Sequence, residues 1–340
     1  MTVDELEKEL KTEKLQSIYL LYGEETFLLE NCLKKIKNIF GELVNGINFI
    51  KIDDTNIESI TSDISTPAFG YEKKLIIARN TGILKKEARK KDAKNTAIQK
   101  KISEYIELNN DIINEQDVIV FVEKEADKVE LFKTIEKYGI VCNFERQKPV
   151  QIAKRLKAIC NAYKVSIDEA TITYLIEICG TSMQDLINEI RKLIEYAGEN
   201  GKIDKDAVDK LAIKQIDSVI FDLTDELGKK DITSAMETLR GLIYNKEPVQ
   251  KILITLYNHF KKLYLLKLAV KYNRSIAESM KLKPNQMFLV NKYKKQADYF
   301  RENELRKIID ELIELDANYK VGLIDLNIGL ESILCRYCSK

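Results

Sequence analysis

The sequence predicts an α/β domain built on a parallel sheet, followed by all-α modules. Three observations carry this reading. Five short runs rich in β-branched residues alternate with helical patterns between residues 17 and 145, and no convincing strand appears beyond Pro149. The third is sparse punctuation: 13 Gly and 4 Pro in 340 residues favour long helices over a turn-rich sandwich or barrel.

The opening segment, MTVDELEKELKTEKLQ, is acidic and helical in pattern. SIYLLYG (17–23) reads as a strand halted by Gly23, after which Phe27, Leu28, Cys32, Leu33, Ile36 and Ile39 recur at helical spacing. INFIKID (47–53) is a second strand, followed by a helix over 56–65 with Ile57, Ile60 and Ile64 on one face. LIIA (75–78) is the third, and after a charged helical stretch come DVIVFVE (117–123), a short helix around Leu131 and Ile135, and IVCNFE (140–145). The apolar runs are nearly continuous, so the strands should be covered on both faces, the arrangement of a three-layer α/β domain.

Pro149 lies in the polar stretch ERQKPVQ and marks a boundary. Beyond it only helical spacing appears, with breaks at Gly228, at Pro248, around Pro284 and at Gly322. The expected divisions are therefore 1–147 (α/β), 148–213 (a small helical module) and 214–340 (a helical bundle). The helix over 248–270 carries Ile252, Leu253, Leu256, Phe260, Leu263 and Leu266, a wide apolar stripe that needs neighbours.

Composition excludes several classes. Apolar residues are 45% and charged residues 32% of the chain, so it can bury cores and is no disordered segment. Lys plus Arg number 55 against 54 Asp plus Glu, so affinity for nucleic acid must come from a local patch. No secretory signal and no run of about 18 apolar residues is present, so an intracellular, cytoplasmic protein with no membrane partner is expected. The six cysteines then read as free thiols. Cys335 and Cys338 have CxxC spacing, but no second pair or neighbouring His would complete a zinc site, so no metal is expected.

An α/β domain followed by a small helical one is the shape of AAA+ ATPases, which makes the phosphate loop the decisive test. The first strand should lead into GxxxxGK and Ser or Thr; instead Gly23 is followed by EETFLLEN. There is no second glycine and no lysine, and Glu24 and Glu25 would repel a triphosphate. Nucleotide hydrolysis is rejected and no cofactor is expected. Glu123 and Glu125 stand near the position of a metal-binding acid, but without a phosphate site they read as a solvated strand end. The sole histidine, His259, lies in LYNHFKKLY on a strongly apolar helix and reads as a packing or hydrogen-bonding group. The sequence looks like that of a protein that binds.

With these features the chain resembles the delta subunit of the bacterial DNA polymerase III clamp loader over nearly its full length. The resemblance rests on SIYLLYGEETFLLEN, on STPAFGYEKKLIIARN (65–80), on FDLTDELGKKDITSAMETLRGLIYNKEPVQKIL (221–253) and on ANYKVGLIDLNIGLESIL (317–334), in that order and spacing. It implies an AAA+-like α/β domain without a phosphate loop, a helical lid domain and a helical collar. It implies a subunit of a DNA polymerase (nucleotidyltransferase) holoenzyme with no catalysis of its own, one that binds and helps open the beta sliding clamp for loading onto primed DNA. The implied partners are that clamp, the gamma or tau and delta-prime subunits, and primed DNA. The apolar faces of helices 248–270 and 303–320 would pack on sister chains. A stand-alone nucleic-acid-binding or scaffold protein with a degenerate AAA+ fold is the alternative.

The family's clamp-binding element is a hydrophobic tip between a helix and the next strand, which the resemblance puts at Thr66, Pro67, Ala68 and Phe69. Phe69 takes the place of the aromatic anchor, while Ala68 stands where relatives carry a large apolar residue. Local chemistry agrees: Pro67 biases Thr66 away from helix and Gly70 permits a sharp return, so an aromatic ring is held on a short loop at the edge of the sheet. On sequence alone Phe69 could equally tuck into its own domain.

Residues 85–101 hold eight basic and two acidic side chains. A solvated face is the commonest meaning of such a run. The sharper reading is contact of Lys85, Lys86, Arg89, Lys90 and Lys91 with DNA or an acidic partner. Tyr257, Phe260, Tyr264, Tyr272 and Tyr293 could stack on bases, or serve as core.

Overall fold

The computed structural model describes residues 1–86 and 93–338, the side chains of 93, 94, 284 and 285 excepted. The chain divides into two compact units, Met1–Arg146 and Gln147–Lys340.

The first unit runs α1 (Val3–Glu9), β1 (Ile18–Tyr22), α2 (Thr26–Phe40), β2 (Phe49–Ile52), α3 (Ile60–Ser65), β3 (Lys74–Arg79), α4 (Ala93–Gln116), β4 (Asp117–Glu123), α5 (Glu130–Tyr138) and β5 (Ile140–Asn143). All five strands are parallel, in the order β2-β3-β4-β1-β5. Alternation along each strand sorts the side chains to two faces. Tyr19, Leu21, Leu75, Ile77, Val118, Val120 and Val122 pack against α1 and α2, while Ile18, Leu20, Ile76, Ile119 and Phe121 pack with Ile60, Ile64, Ile106 and Ile135 of α3, α4 and α5. The expected three-layer α/β domain is what these residues build. β4 is buried from end to end. The expected helix over 56–65 begins as a single 3-10 turn, Ile57–Ser59.

The second unit begins with α6 (Pro149–Ala162), β6 (Ser166–Ile167), α7 (Glu169–Cys179), α8 (Met183–Ala197), β7 (Lys202–Ile203) and α9 (Lys205–Leu211). β6 and β7 form a two-residue parallel pair, strands that the sequence reading did not anticipate; two residues are too short to display any period. The rest is helical: α10 (Ile216–Gly228), α11 (Ile232–Tyr244), α12 (Val249–Lys271), α13 (Ile276–Ser279), α14 (Val290–Asp298), α15 (Glu302–Lys320) and α16 (Leu326–Cys338). Among the described residues, no helix is long and apolar enough to cross a membrane.

The apolar stripe of α12 is not left for other chains. Ile252, Leu253, Leu256, Phe260, Leu263 and Leu266 are all buried in one core with Leu305, Ile308, Leu312 and Leu315 of α15. What faces outward is a different set, including Tyr244, Ile254, Val321, Leu323 and Ile328. Phe260 and Tyr293 are buried and Tyr257 and Tyr264 half-buried in the same core, while Tyr272 is exposed.

His259 is buried within this core, edge-on to Phe221 at 4.5 Å. Gln296 donates its amide to Phe221 O (2.8 Å) and Asp225 Oδ1 (2.7 Å), so its Oε1 is left to accept from His259 Nε2 at 2.8 Å. That places the imidazole proton on Nε2. Burial lowers its pKa from 6.5 to about 3. An unfolded His259 takes up a proton below pH 6.5 and the folded one does not, so stability is present above that pH and falls on acidification. The expected loss is about 1.4 kcal/mol per pH unit as the pH falls below 6.5. Urea melts between pH 7 and 5 check it: a His259→Asn variant should lack this component of the slope.

Candidate functional site

The two ends of the sheet differ. In an open parallel sheet, ligands ordinarily bind at the carboxyl ends of the strands. Here that end is closed. The link from β1 to α2 is only Gly23, Glu24 and Glu25. Gly23 N donates to Glu123 O at 3.3 Å, and Glu25 N donates to Phe144 O at 2.8 Å. Gly23 sits at φ +133°, and a Cβ there would lie 2.4 Å from Phe144 O. Glu24 pairs with Arg146 at 2.7 Å.

Glu123 is no solvated strand end, as its sequence position suggested. It is buried, and Oε1 accepts from Thr81 N (2.8 Å) and Thr81 Oγ1 (2.5 Å) while Oε2 accepts from Gly82 N (3.4 Å). Burial raises its pKa and the Thr81 bonds oppose the rise. The carboxylate thus stitches the turn after β3 to the end of β4. Glu125 is exposed and pairs with Lys85 at 3.3 Å. Among the described residues, no three His, Cys, Asp or Glu side chains gather as a metal site; Cys335 is exposed and Cys338 half-buried on α16.

At the amino end of the sheet the chain does the opposite and displays an apolar group. α3 stops at Thr66, whose ψ of 119° is extended, as a residue before proline requires. Pro67 and Phe69 are exposed and Ala68 half-buried. Phe69 is 92% exposed, so the ring does not tuck into its own domain. Gly70 lies at φ +77°, turning the chain back toward β3, and Tyr71 N donates to Ala68 O at 3.4 Å. The loop leads into β3, the second strand of the sheet, and not into its edge strand.

A buried cation lies beneath this loop. Lys74, the first residue of β3, donates from Nζ to Asp63 O and Thr66 O. Its Nζ is 3.7 Å from Asp117 Oδ1 at the start of β4, and both side chains are almost fully buried. The two residues are register partners. Ser65 Oγ and Thr66 Oγ1 both donate to Ser62 O at 2.9 Å. Two of the last carbonyls of α3, those of Ser62 and Asp63, are thereby satisfied by hydroxyls and an ammonium. Sequence reasoning missed Lys74; its only signal was a lysine immediately before the apolar run LIIA (75–78).

Thr66, Pro67, Ala68 and Phe69 thus form one loop between α3 and β3, with Thr66, Pro67 and Phe69 exposed. Of the basic run, Lys85 is paired as above and the Lys86 amide donates to Asp127 Oδ2 at 2.7 Å; Arg89, Lys90 and Lys91 lie outside the described residues.

Two family profiles match the chain: "DNA polymerase III, delta subunit" over residues 19–145, and "DNA polymerase III delta subunit, C-terminal domain" over 217–337. The chain is 24% identical over 339 residues to the DNA polymerase III subunit delta of Bacillus subtilis, covering 96% of this chain and 94% of the relative. It is 26% identical over 319 residues to a probable DNA polymerase III subunit delta of Aquifex aeolicus, covering 91% and 88%. Its fold matches the solved structure of the Bacillus subtilis DNA clamp loader delta protein, with a TM-score of 0.73 at 22% identity over 99% of this chain and 100% of that one.

The closed carboxyl end yields a direct expectation. Gly23→Ala should lower the free energy of unfolding by about 2 kcal/mol or more, because the added methyl meets Phe144 backbone and the left-handed backbone disfavours a Cβ. Denaturant melts check it, and an unchanged midpoint would contradict the close approach.

Proposed function

We propose that this chain, which belongs to the DNA polymerase III delta-subunit family, grips the ring-shaped beta sliding clamp through the loop Thr66–Phe69 and helps open it for loading onto primed DNA. The observation that carries the proposal is Phe69: a large aromatic ring, 92% exposed, held between a proline and a left-handed glycine at the end of a rigid sheet. An apolar ring so presented gains about 1.5–3 kcal/mol on entering a partner's pocket. That is the size of an interface anchor.

Binding alone opens nothing. A ligand shifts an equilibrium only by its differential affinity, so the chain must prefer the open clamp to the closed one. In this reading Phe69 anchors the contact while α3 abuts the clamp in a shape that fits the relaxed protomer.

Energy for the cycle would come from ATP held by other subunits. The link Gly23–Glu25 is too short to wrap a phosphate chain, and its carboxylates repel one. The helices of 148–213 would serve as a lid and those of 214–340 as a collar for sister subunits of the gamma or tau and delta-prime type. Tyr244, Ile254, Val321, Leu323 and Ile328 are among the exposed apolar residues available for that association.

Titration of the purified clamp should show Phe69→Ala binding about 10- to 100-fold more weakly, and Ala68→Leu more tightly. Unchanged affinity on losing the ring would overturn the anchor. Calorimetry with ATP should give no saturable heat for the isolated chain. A pull-down should retain the clamp and the sister subunits; retention of DNA alone would favour stand-alone nucleic-acid binding.

A further inference from the structure

We infer that Lys74 is a positioning residue for the clamp-contacting loop: its ammonium, balanced by Asp117, holds the end of α3 so that Phe69 is presented in one orientation. The inference rests on Phe69 being the anchor.

A lysine is almost never fully buried unless paired, and a buried cation is costly. Lys74 is only 3% exposed. β1, β2 and β5 all begin with an apolar residue, Ile18, Phe49 and Ile140. An apolar side chain at the start of β3 would pack there without the cost, and replacing a buried ion pair by apolar groups is commonly neutral or stabilising. Packing therefore does not account for this pair.

What the ammonium does is specific. It bonds the carbonyls of Asp63, in the last turn of α3, and of Thr66, the residue that begins the loop. A single side chain rooted in the sheet thus spans the junction where helix becomes loop. A cation at a helix carboxyl end also complements the helix dipole.

The counter-charge is equally placed. Asp117 is 1% exposed, and neither carboxylate oxygen has a hydrogen-bond partner. Burial pushes its pKa up to about 6, against the pull of Lys74. A carboxylate left without hydrogen bonds in the sheet is there as charge, and the charge it faces is the ammonium under the loop. At the start of the loop Thr66 Oγ1 donates to Ser62 O, at its turn Tyr71 N donates to Ala68 O, and at its end Lys73 Nζ donates to Asn114 O of α4 at 2.9 Å. The first two join near neighbours in the chain, and the third holds the loop's far end, beyond Gly70. Lys74 is the tie that fixes the Thr66 end of the loop, on the Phe69 side of Gly70, to the sheet. An anchor held in its bound orientation loses less freedom on binding, which is affinity gained without a new contact.

The chain contains no tryptophan, so Phe69→Trp installs a single reporter at the loop. In that background the pair Lys74→Met with Asp117→Asn removes both charges while nearly preserving shape. The expected result is a lower steady-state anisotropy of Trp at position 69, with far-ultraviolet circular dichroism and melting temperature little changed. With Phe69 intact, the same pair should bind the purified clamp roughly 3- to 10-fold more weakly. Should the pair fail to fold, Lys74→Gln, whose shorter amide cannot reach both carbonyls, serves the same comparison. Unchanged anisotropy in a folded variant overturns the inference. So does a loosened reporter with unchanged clamp affinity, where Phe69→Ala does weaken binding. If neither change affects the clamp while the reporter loosens, the latch stands and the anchor reading fails.

Discussion

A strand buried along its whole length has two ends that must still meet the requirements of polar backbone and of the turns beyond it, and β4 meets them with acids. Asp117 opens the strand and Glu123 closes it, and both are buried. A buried carboxylate is tolerated only where something nearby compensates it. At the amino end the compensation is Lys74, and through it the carboxyl end of α3 and the exposed loop. At the carboxyl end it is Thr81 and the Gly82 amide, which tie the turn after β3 to the end of β4. One strand therefore organises both the closed face of the sheet and the face that displays Phe69.

The division of labour between the two ends follows. The usual ligand-binding end of an α/β sheet has been filled with the protein's own groups: the Gly23 backbone against Phe144, Glu24 on Arg146, and Glu123 on Thr81. The opposite end, which in such folds commonly serves only to join elements, carries the exposed aromatic. The sheet lies between them, and β3, into which the loop leads, is buried from Lys74 to Ala78.

How much of this was legible in the sequence depended on period and length. The five strands and their helices stood out because each run was long enough to declare a pattern, and the loop at Thr66–Phe69 stood out because Pro67 and Gly70 bracket an aromatic. Strands β6 and β7 were invisible, since two residues have no period. Glu123 was misread because an acid at the end of an apolar run is normally solvated; only the third dimension brings Thr81 to it. The stripe on α12 was read correctly as needing cover, but sequence could not say that α15 of the same chain supplies it. Lys74 was overlooked because its meaning lies in carbonyls, which no side-chain pattern records.

The three-residue link after β1 limits what could be built in its place. A Walker loop takes eight residues between strand and helix, so restoring one here would require an insertion as well as a new lysine, and the inserted backbone would have to displace Phe144 from the space it shares with Gly23. Both ends of the link are also committed, Gly23 N to Glu123 O and Glu25 N to Phe144 O, so backbone inserted between them would have to span or break those two bonds.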